Sequence, residues 1–187
     1  MELQAPDPPL CDGVVALRML HEEDVGAMVS HCRDPEMQRW TTVPSPYDDA
    51  DARRWIALSR KQWAAGDSAV FAIVLAGEDE YVGGIDLRSG PWPAGEIGYG
   101  VRPEVRGRGV APRAVRLLSG WALDELGLVR VQIVTDVENV ASQRVAGRAG
   151  FTREGVLRQA LEVKGRRSDC VMFSLLPSDA RAGPSRA

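Results

Sequence analysis

The chain predicts a mixed-sheet α/β (α+β) domain, and three observations carry that prediction. Early amphipathic segments are followed by a run of apolar strands joined by short turns, which makes most of the sheet antiparallel. One strand, 96–101, then leads through an arginine-glycine loop into an apolar-faced helix and on to a further strand, a single β-loop-α-β crossover. The 187 residues show no internal repeat and no dividing linker, so they suit one domain with its own core.

Residues 1–13 are expected to form a flexible lead-in, 14–177 the domain and 178–187 a flexible tail. The apolar run 14–20 reads as the first strand. Glu22, Glu23 and Asp24 then offer acids to the start of a helix carrying Val25, Met28, Val29 and Cys32 on one face. Asp34-Pro35 restarts a short helix, with Asp as cap and Pro in the first position, ending near Trp40. Asp48 or Asp49 caps a third helix, which Gly66 ends; Trp55, Leu58 and Gln62 form one stripe on it. Strands over 69–75 and 81–87, joined across Gly77-Glu78-Asp79-Glu80, have hairpin spacing. A connection holding Pro91-Trp92-Pro93 precedes strand 96–101. The helix after the loop puts Val110, Ala114, Leu117, Leu118 and Trp121 on one face, with Pro112 harmless in its first turn and Gly127 as its stop. A strand over 130–135, a helix over 141–149 closed by Gly150, and strands near 156–163 and 170–176 complete the pattern.

Composition narrows the function classes. With 44% hydrophobic and 26% charged residues the protein is an ordinary globular chain, and a net charge of -3 supplies no global field for nucleic acid or anionic lipid. Cys11, Cys32 and Cys170 stand far apart, and the two histidines, His21 and His31, complete no ligand spacing. A disulfide framework and a metal site are both disfavoured, and reduced buried thiols are expected. The first residues carry no apolar signal core and no run reaches membrane-spanning length, which points to a cytoplasmic protein.

The charge that matters is local. In Arg106-Gly107-Arg108-Gly109-Val110-Ala111, glycines let backbone N–H groups crowd an anion, arginines add charge, and the following helix adds the positive end of its dipole. The loop is therefore a candidate phosphate cradle. Arg102, Arg106, Arg108, Arg113 and Arg116 also form a candidate RNA contact, but the net negative charge and the lack of interleaved aromatics argue against it.

That loop resembles the (Q/R)-x-x-G-x-(G/A) acyl-CoA pyrophosphate motif of the GNAT N-acetyltransferases. Downstream, Asn139-Val140-Ala141-Ser142, Gly150-Phe151 and Glu154-Gly155 resemble the N-x-x-S…G-F…E-G signature of the RimJ/RimL-like subgroup. Asp34-Pro35-Glu36, Trp40, Phe71-Ala72-Ile73 and Glu96-Ile97-Gly98-Tyr99 stand in the order that subgroup shows, so the resemblance spans roughly residues 14–176. Its usual A-T-E-A after the loop is here Ala111-Pro112-Arg113-Ala114, an extra cation at the edge of the cradle.

The resemblance implies a single GNAT-like domain that transfers an acyl group from acetyl-CoA, or another acyl-CoA such as succinyl-CoA, to an amine. The acceptor would be a protein N-terminus or a small molecule, attacking directly in a ternary complex. A non-catalytic acyl-CoA-binding module is the rival. It implies cofactor contacts from Arg106, Gly107, Arg108, Gly109, Val110, Ala111 and Asn139. It also implies a splay between strands 97–101 and 130–135 that admits the pantetheine arm, with an N–H near Gly100 or Val101 facing the thioester oxygen. Gly98 and Gly100 permit a bulge there. Ser142 would lie near the CoA sulfur, though a helix-start serine is also an ordinary cap. The position of the family's usual tyrosine acid is Ala146, which leaves Ser142 or water to serve. The base is a carboxylate among Glu96, Asp136, Glu138 and Glu162, with Glu162 favoured by the resemblance and Glu96 as rival; each is equally readable as a solvated surface acid. Trp40 and Trp92 are pocket candidates, and Trp55, Trp63 and Trp121 are assigned to the core. The resemblance further allows a homo-oligomer paired through the late strands.

Overall fold

The computed structural model describes residues 3, 5–90 and 93–182. Eight strands form one sheet in the order β1-β2-β3-β4-β5-β6-β8-β7. They are β1 (Leu10–Cys11), β2 (Val15–Arg18), β3 (Ser68–Leu75), β4 (Gly83–Ser89), β5 (Ala94–Val101), β6 (Arg130–Asp136), β7 (Thr152–Val163) and β8 (Arg166–Leu175). Every neighbouring pair is antiparallel except β5 and β6, which the crossover helix α4 (Val110–Asp124) makes parallel. The predicted mixed, mostly antiparallel sheet is what forms.

The faces of the sheet follow from alternation along the strands. One side of β2 to β6 presents Val15, Leu17, Phe71, Ile73, Ile85, Leu87, Ile97, Val131 and Ile133 to α4, whose Val110, Ala114, Val115, Leu118, Trp121 and Ala122 are buried against them. Trp63, Phe71 and Trp121 meet edge-on within this layer. The other side, with Val70 and Ala72, packs under α1 (Val25–Cys32) and α3 (Asp49–Ala65). The short helix α2 (Pro35–Trp40) follows α1, and α5 (Val140–Arg148) follows β6.

Caps act where the residue types called for them. The Asp34 side chain accepts from the Met37 N–H, and Asp48 with Asp51 forms a reciprocal capping box. Gly66, at φ 74°, ends α3 in the left-handed region. The β7–β8 hairpin turns on Lys164 and Gly165, both at positive φ, as a two-residue turn of right-handed strands requires.

The structure departs from expectation in four places. The lead-in is not wholly loose, because Leu10 and Cys11 add an edge strand to β2, and Cys11 is exposed. The second hairpin strand starts at Gly83; Tyr81 and Val82 sit buried ahead of it. The two late strands each start four residues earlier than expected, β7 at Thr152 and β8 at Arg166, because polar residues there still pair across the hairpin. Part of the predicted tail forms helix α6 (Pro177–Ala182). Among the described residues no helix is long and apolar enough to cross a membrane, and no group of His, Cys, Asp or Glu is placed to hold a metal ion.

Candidate active site

The site is built on the place where the parallel pair comes apart. β5 pairs with β6 only through Ala94–Arg130, Gly95–Val131 and Glu96–Gln132, and beyond those residues each strand keeps its partner on the far side. From Ile97 to Val101 the β6-facing edge of β5 therefore has no ladder partner. The splay predicted for an acyl arm is present, without a bulge: the β4–β5 register runs unbroken from Gly83–Val101 to Ser89–Gly95. The glycines serve close approach instead. A Cβ on Gly98 would lie 2.8 Å from Asp86 Oδ1, and one on Gly100 would lie 2.9 Å from Met37 Sδ and 3.3 Å from His31 Nε2.

The fork opens directly onto the arginine-glycine loop. Gly107 and Gly109 both adopt positive φ, 76° and 79°, which turns successive backbone amides toward one side at the start of α4. Among the described residues the N–H groups of Gly107, Gly109, Val110 and Ala111 have no protein acceptor. Such an end suits an anion. The arginines are more occupied than the sequence implied. Arg106 reaches across to Asp34 (2.5 Å) and Arg113 to Asp12 (2.7 Å), while Arg102 meets Glu80 (2.6 Å) and Arg116 donates to the Arg148 carbonyl. Four of the five arginines of the candidate RNA contact thus have local partners.

At the mouth of the fork, Asn139 caps α5 by accepting from the Ser142 N–H (3.0 Å). That frees the Ser142 hydroxyl from capping, and it meets the Tyr99 hydroxyl at 2.8 Å. A tyrosine thus stands beside Ser142 after all, delivered by β5 and not by α5, where Ala146 is wholly buried. Burial pushes the Tyr99 hydroxyl up to about 12, partly offset by the hydrogen bond from Ser142.

A cleft of about 1330 Å³ spreads from this fork over the α1–α3 side of the sheet. A single small-ligand pocket occupies ~300–1,000 Å³, so there is room for a long ligand and a second one. Its far wall is the β7–β8 hairpin, whose Lys164 ammonium donates to the Gln38 carbonyl of α2 at 3.0 Å. Arg166 binds Asp136 (2.8 Å), and Arg39 binds Glu138 (3.3 Å), so both of these sequence candidates for the base are engaged in ion pairs.

Of the other predicted residues, Glu96 lines the cleft at the base of the fork, paired with Arg88 (3.0 Å) and accepting from Gln132 (3.2 Å). Glu162 lines it from β7 and is paired with Arg167 (2.8 Å). Trp40 lines the rim, its indole donating to Glu36 (2.8 Å) and its ring covered by Arg39 at 4.3 Å. Trp92 lies outside the described residues. Trp63 and Trp121 are core, whereas Trp55, 37% exposed, lines the cleft because its stripe of α3 faces the gap beside α2. Sequence reasoning also missed Asp86 and His31. Asp86 alternates with the buried Ile85 and Leu87, a pattern that reads as an ordinary solvated strand face until the sheet is assembled. His31 is buried, its Nδ1 shares a hydrogen bond with the Tyr81 hydroxyl (3.0 Å), and its Nε2, beside Gly100, has no partner among the described residues. Burial, and then the charge of Arg106, hold it down at about 4, so it is neutral at ordinary pH.

Residues 15–152 match the family model described as an acetyltransferase (GNAT) domain. The chain is 29% identical over 164 residues to a Bacillus licheniformis protein named Uncharacterized N-acetyltransferase p20, covering 87% of this chain and 92% of that one. Among solved structures, Mycobacterium smegmatis RimJ in complex with CoA-disulfide superposes with a TM-score of 0.79 at 24% identity, over 89% of this chain and 83% of that one. The ribosomal-protein-S5-alanine acetyltransferase of Vibrio fischeri superposes with a TM-score of 0.76 at 20% identity, over 88% and 94%. At those identities the two structures establish a shared fold.

Proposed function

The chain belongs to the GNAT acetyltransferase family, and we propose that its cleft moves an acetyl group from acetyl-CoA to a primary amine by direct attack in a ternary complex. The observation that carries this reading is the β5–β6 fork, which gives an extended acyl arm an unpaired strand edge and leads straight to the free amides of Gly107, Gly109, Val110 and Ala111. The diphosphate would sit on the amides of Gly107, Gly109, Val110 and Ala111, with Arg108 beside it and Arg106 available if it leaves Asp34. Asn139, at the mouth of the fork, would flank the arm. The backbone N–H of Gly100 or Val101 would polarise the thioester carbonyl.

The protein's own groups then move the protons. The departing sulfur would be met by the paired hydroxyls of Ser142 and Tyr99, and Tyr99 remains protonated well above neutral pH, so it has a proton to give. The proton lost by the amine goes to a cleft carboxylate, and Glu96 and Glu162 are the candidates the sequence put forward. An N-terminal amine ordinarily titrates at about 7.7–8.0, so it makes a modest demand on that base.

The acceptor we favour is a protein N-terminus. Support comes from the ribosomal-protein acetyltransferase that shares the fold and from the open, two-walled cleft with Trp40 and Trp55 on its rim. This reading sets the protein in the cytoplasm, with copies pairing through the edge strand β7, where Val156 and Leu157 are exposed. The test is release of CoA thiol from acetyl-CoA by the full chain, with and without peptides that begin with alanine or serine. Release that depends on peptide is expected. CoA binding with no peptide-dependent release would favour the non-catalytic module.

A further inference from the structure

The carboxylate best placed to take the amine's proton is one the sequence did not put forward. We infer that Asp86, at the centre of the glycine-floored part of the cleft, is the general base of the acyl transfer; this rests on the acyltransferase reading above. Asp86 lies on β4 directly opposite Gly98 of β5, two residues beyond Glu96, the last β5 residue paired with β6. Its same-face neighbours include Gly84, Gly98 and Gly100, so no side chain from those positions covers it, while Val70, Arg88 and Glu96 border it on the other sides. Oδ1 rests against Gly98, where any side chain would collide with it. Oδ2 is held by Arg88 Nε at 3.0 Å, which fixes the carboxyl and leaves Oδ1 without a protein donor among the described residues. The amine, attacking a thioester seated in the fork, would approach over that glycine floor.

The surroundings suit a base working near neutral pH. Arg88 on its own strand favours the ionised form, and Glu96 across β5 disfavours it. β3 contributes only the apolar Val70, and the charged α3 residues that line the cleft, Asp51 and Arg54, are paired with each other. Desolvation outweighs Arg88, and the carboxyl is pushed up to about 6. It is therefore mostly ionised at pH 7 while remaining more basic than an exposed aspartate. Glu96 lies opposite the same Arg88 and Glu162 opposite Arg167, whereas Asp86 lies opposite a glycine.

The step balances without a co-reactant. The ammonium form of the acceptor gives one proton to Asp86 Oδ1. The freed nitrogen pair forms the C–N bond while the C–S bond breaks, and the thiolate takes a proton from the Tyr99–Ser142 pair. Asp86, having passed that first proton to solvent, takes the nitrogen's second proton in turn, and a proton from solvent restores the Tyr99–Ser142 pair, so one proton is released in all.

The experiment compares wild type with Asp86→Asn and Asp86→Glu, using acetyl-CoA and the peptide that gives the fastest thiol release in wild type. It records kcat against pH from 5 to 9, with CoA affinity measured alongside by calorimetry. The wild-type kcat should fall as pH drops through about 6. Asp86→Asn should lose about 100-fold or more in kcat and lose that acid limb while binding CoA as wild type does. Asp86→Glu should keep the limb. An Asp86→Asn enzyme that keeps kcat, or that loses rate with the acid limb intact, overturns the assignment and leaves the acyltransferase reading standing. Should Asp86→Asn not fold, the limb in wild type and Asp86→Glu decides, and its absence from both overturns the assignment. Failure of wild type to bind CoA or to release thiol with any peptide would overturn the acyltransferase reading itself, and Asp86 as its base with it.

Discussion

Tyr99 and Ser142 come from elements 43 residues apart in the chain, and their hydroxyls meet at 2.8 Å. A buried hydroxyl whose ionisation is pushed to about 12 cannot act as an anion at working pH, but it can donate to one. We therefore expect Tyr99→Phe to lower kcat by about 100-fold, the low end of acid–base effects, because a thiolate is already a fair leaving group. KM for acetyl-CoA should move much less, and steady-state thiol release reads both. Ser142→Ala should behave in the same direction, and the double variant should cost less than the two single losses combined, since the pair acts as a unit. His31 is the other residue-scale puzzle. An unpartnered buried nitrogen costs about 1–3 kcal/mol, and this one stands beside the strand that borders the fork. Neither pairing was legible from residue order. Tyr99 sits in a strand of alternating small and apolar residues and reads as core, and His31 on its helix reads as a side chain with no metal-ligand spacing.

At the scale of elements, the strands, caps and crossover were largely legible, because each rests on local chemistry. Asp34-Pro35, the Asp48 box and the Gly66 stop specify their helices within a few residues. The arginine-glycine loop was legible for the same reason, since positive φ at Gly107 and Gly109 is a local demand. The partners of Arg106 and Arg113 were not legible, because they lie 72 and 101 residues away, in Asp34 and Asp12. The starts of β7 and β8 were also hidden, since residues 152–155 and 166–169 pair by register and carry no apolar pattern. Close packing between β4 and β5 gives the element its own test. A Cβ on Gly83 would stand 2.4 Å from the Gly100 carbonyl oxygen, which is backbone and cannot swing aside. Gly83→Ala should destabilise the protein by about 1–3 kcal/mol, lowering Tm by roughly 2–4 °C per kcal/mol in a domain of this size. Gly26→Ala, where a Cβ meets nothing within 4 Å, is the matched control and should leave Tm unchanged or slightly raised.

Taken whole, the molecule is a sheet that is continuous everywhere except at one seam. α4 covers one side and begins at the phosphate loop; α1 to α3 cover the other and stop short of the seam, leaving the cleft. The β7–β8 hairpin closes the far wall by reaching back to α2 through Lys164. The design places three requirements of acyl transfer in one continuous gap: an anion cradle, an unpaired strand edge and a proton acceptor on a cleared floor. All three depend on the seam taking an acyl-CoA. The most direct measurement is an isothermal calorimetric titration of the full chain with CoA. The seam should bind one CoA per chain saturably at sub-millimolar concentration, about tenfold or more weaker in Gly107→Val, where a β-branched residue is strained at φ 76° and shifts the amides of the cradle. Absence of binding up to millimolar CoA, or binding that Gly107→Val leaves untouched, would contradict it.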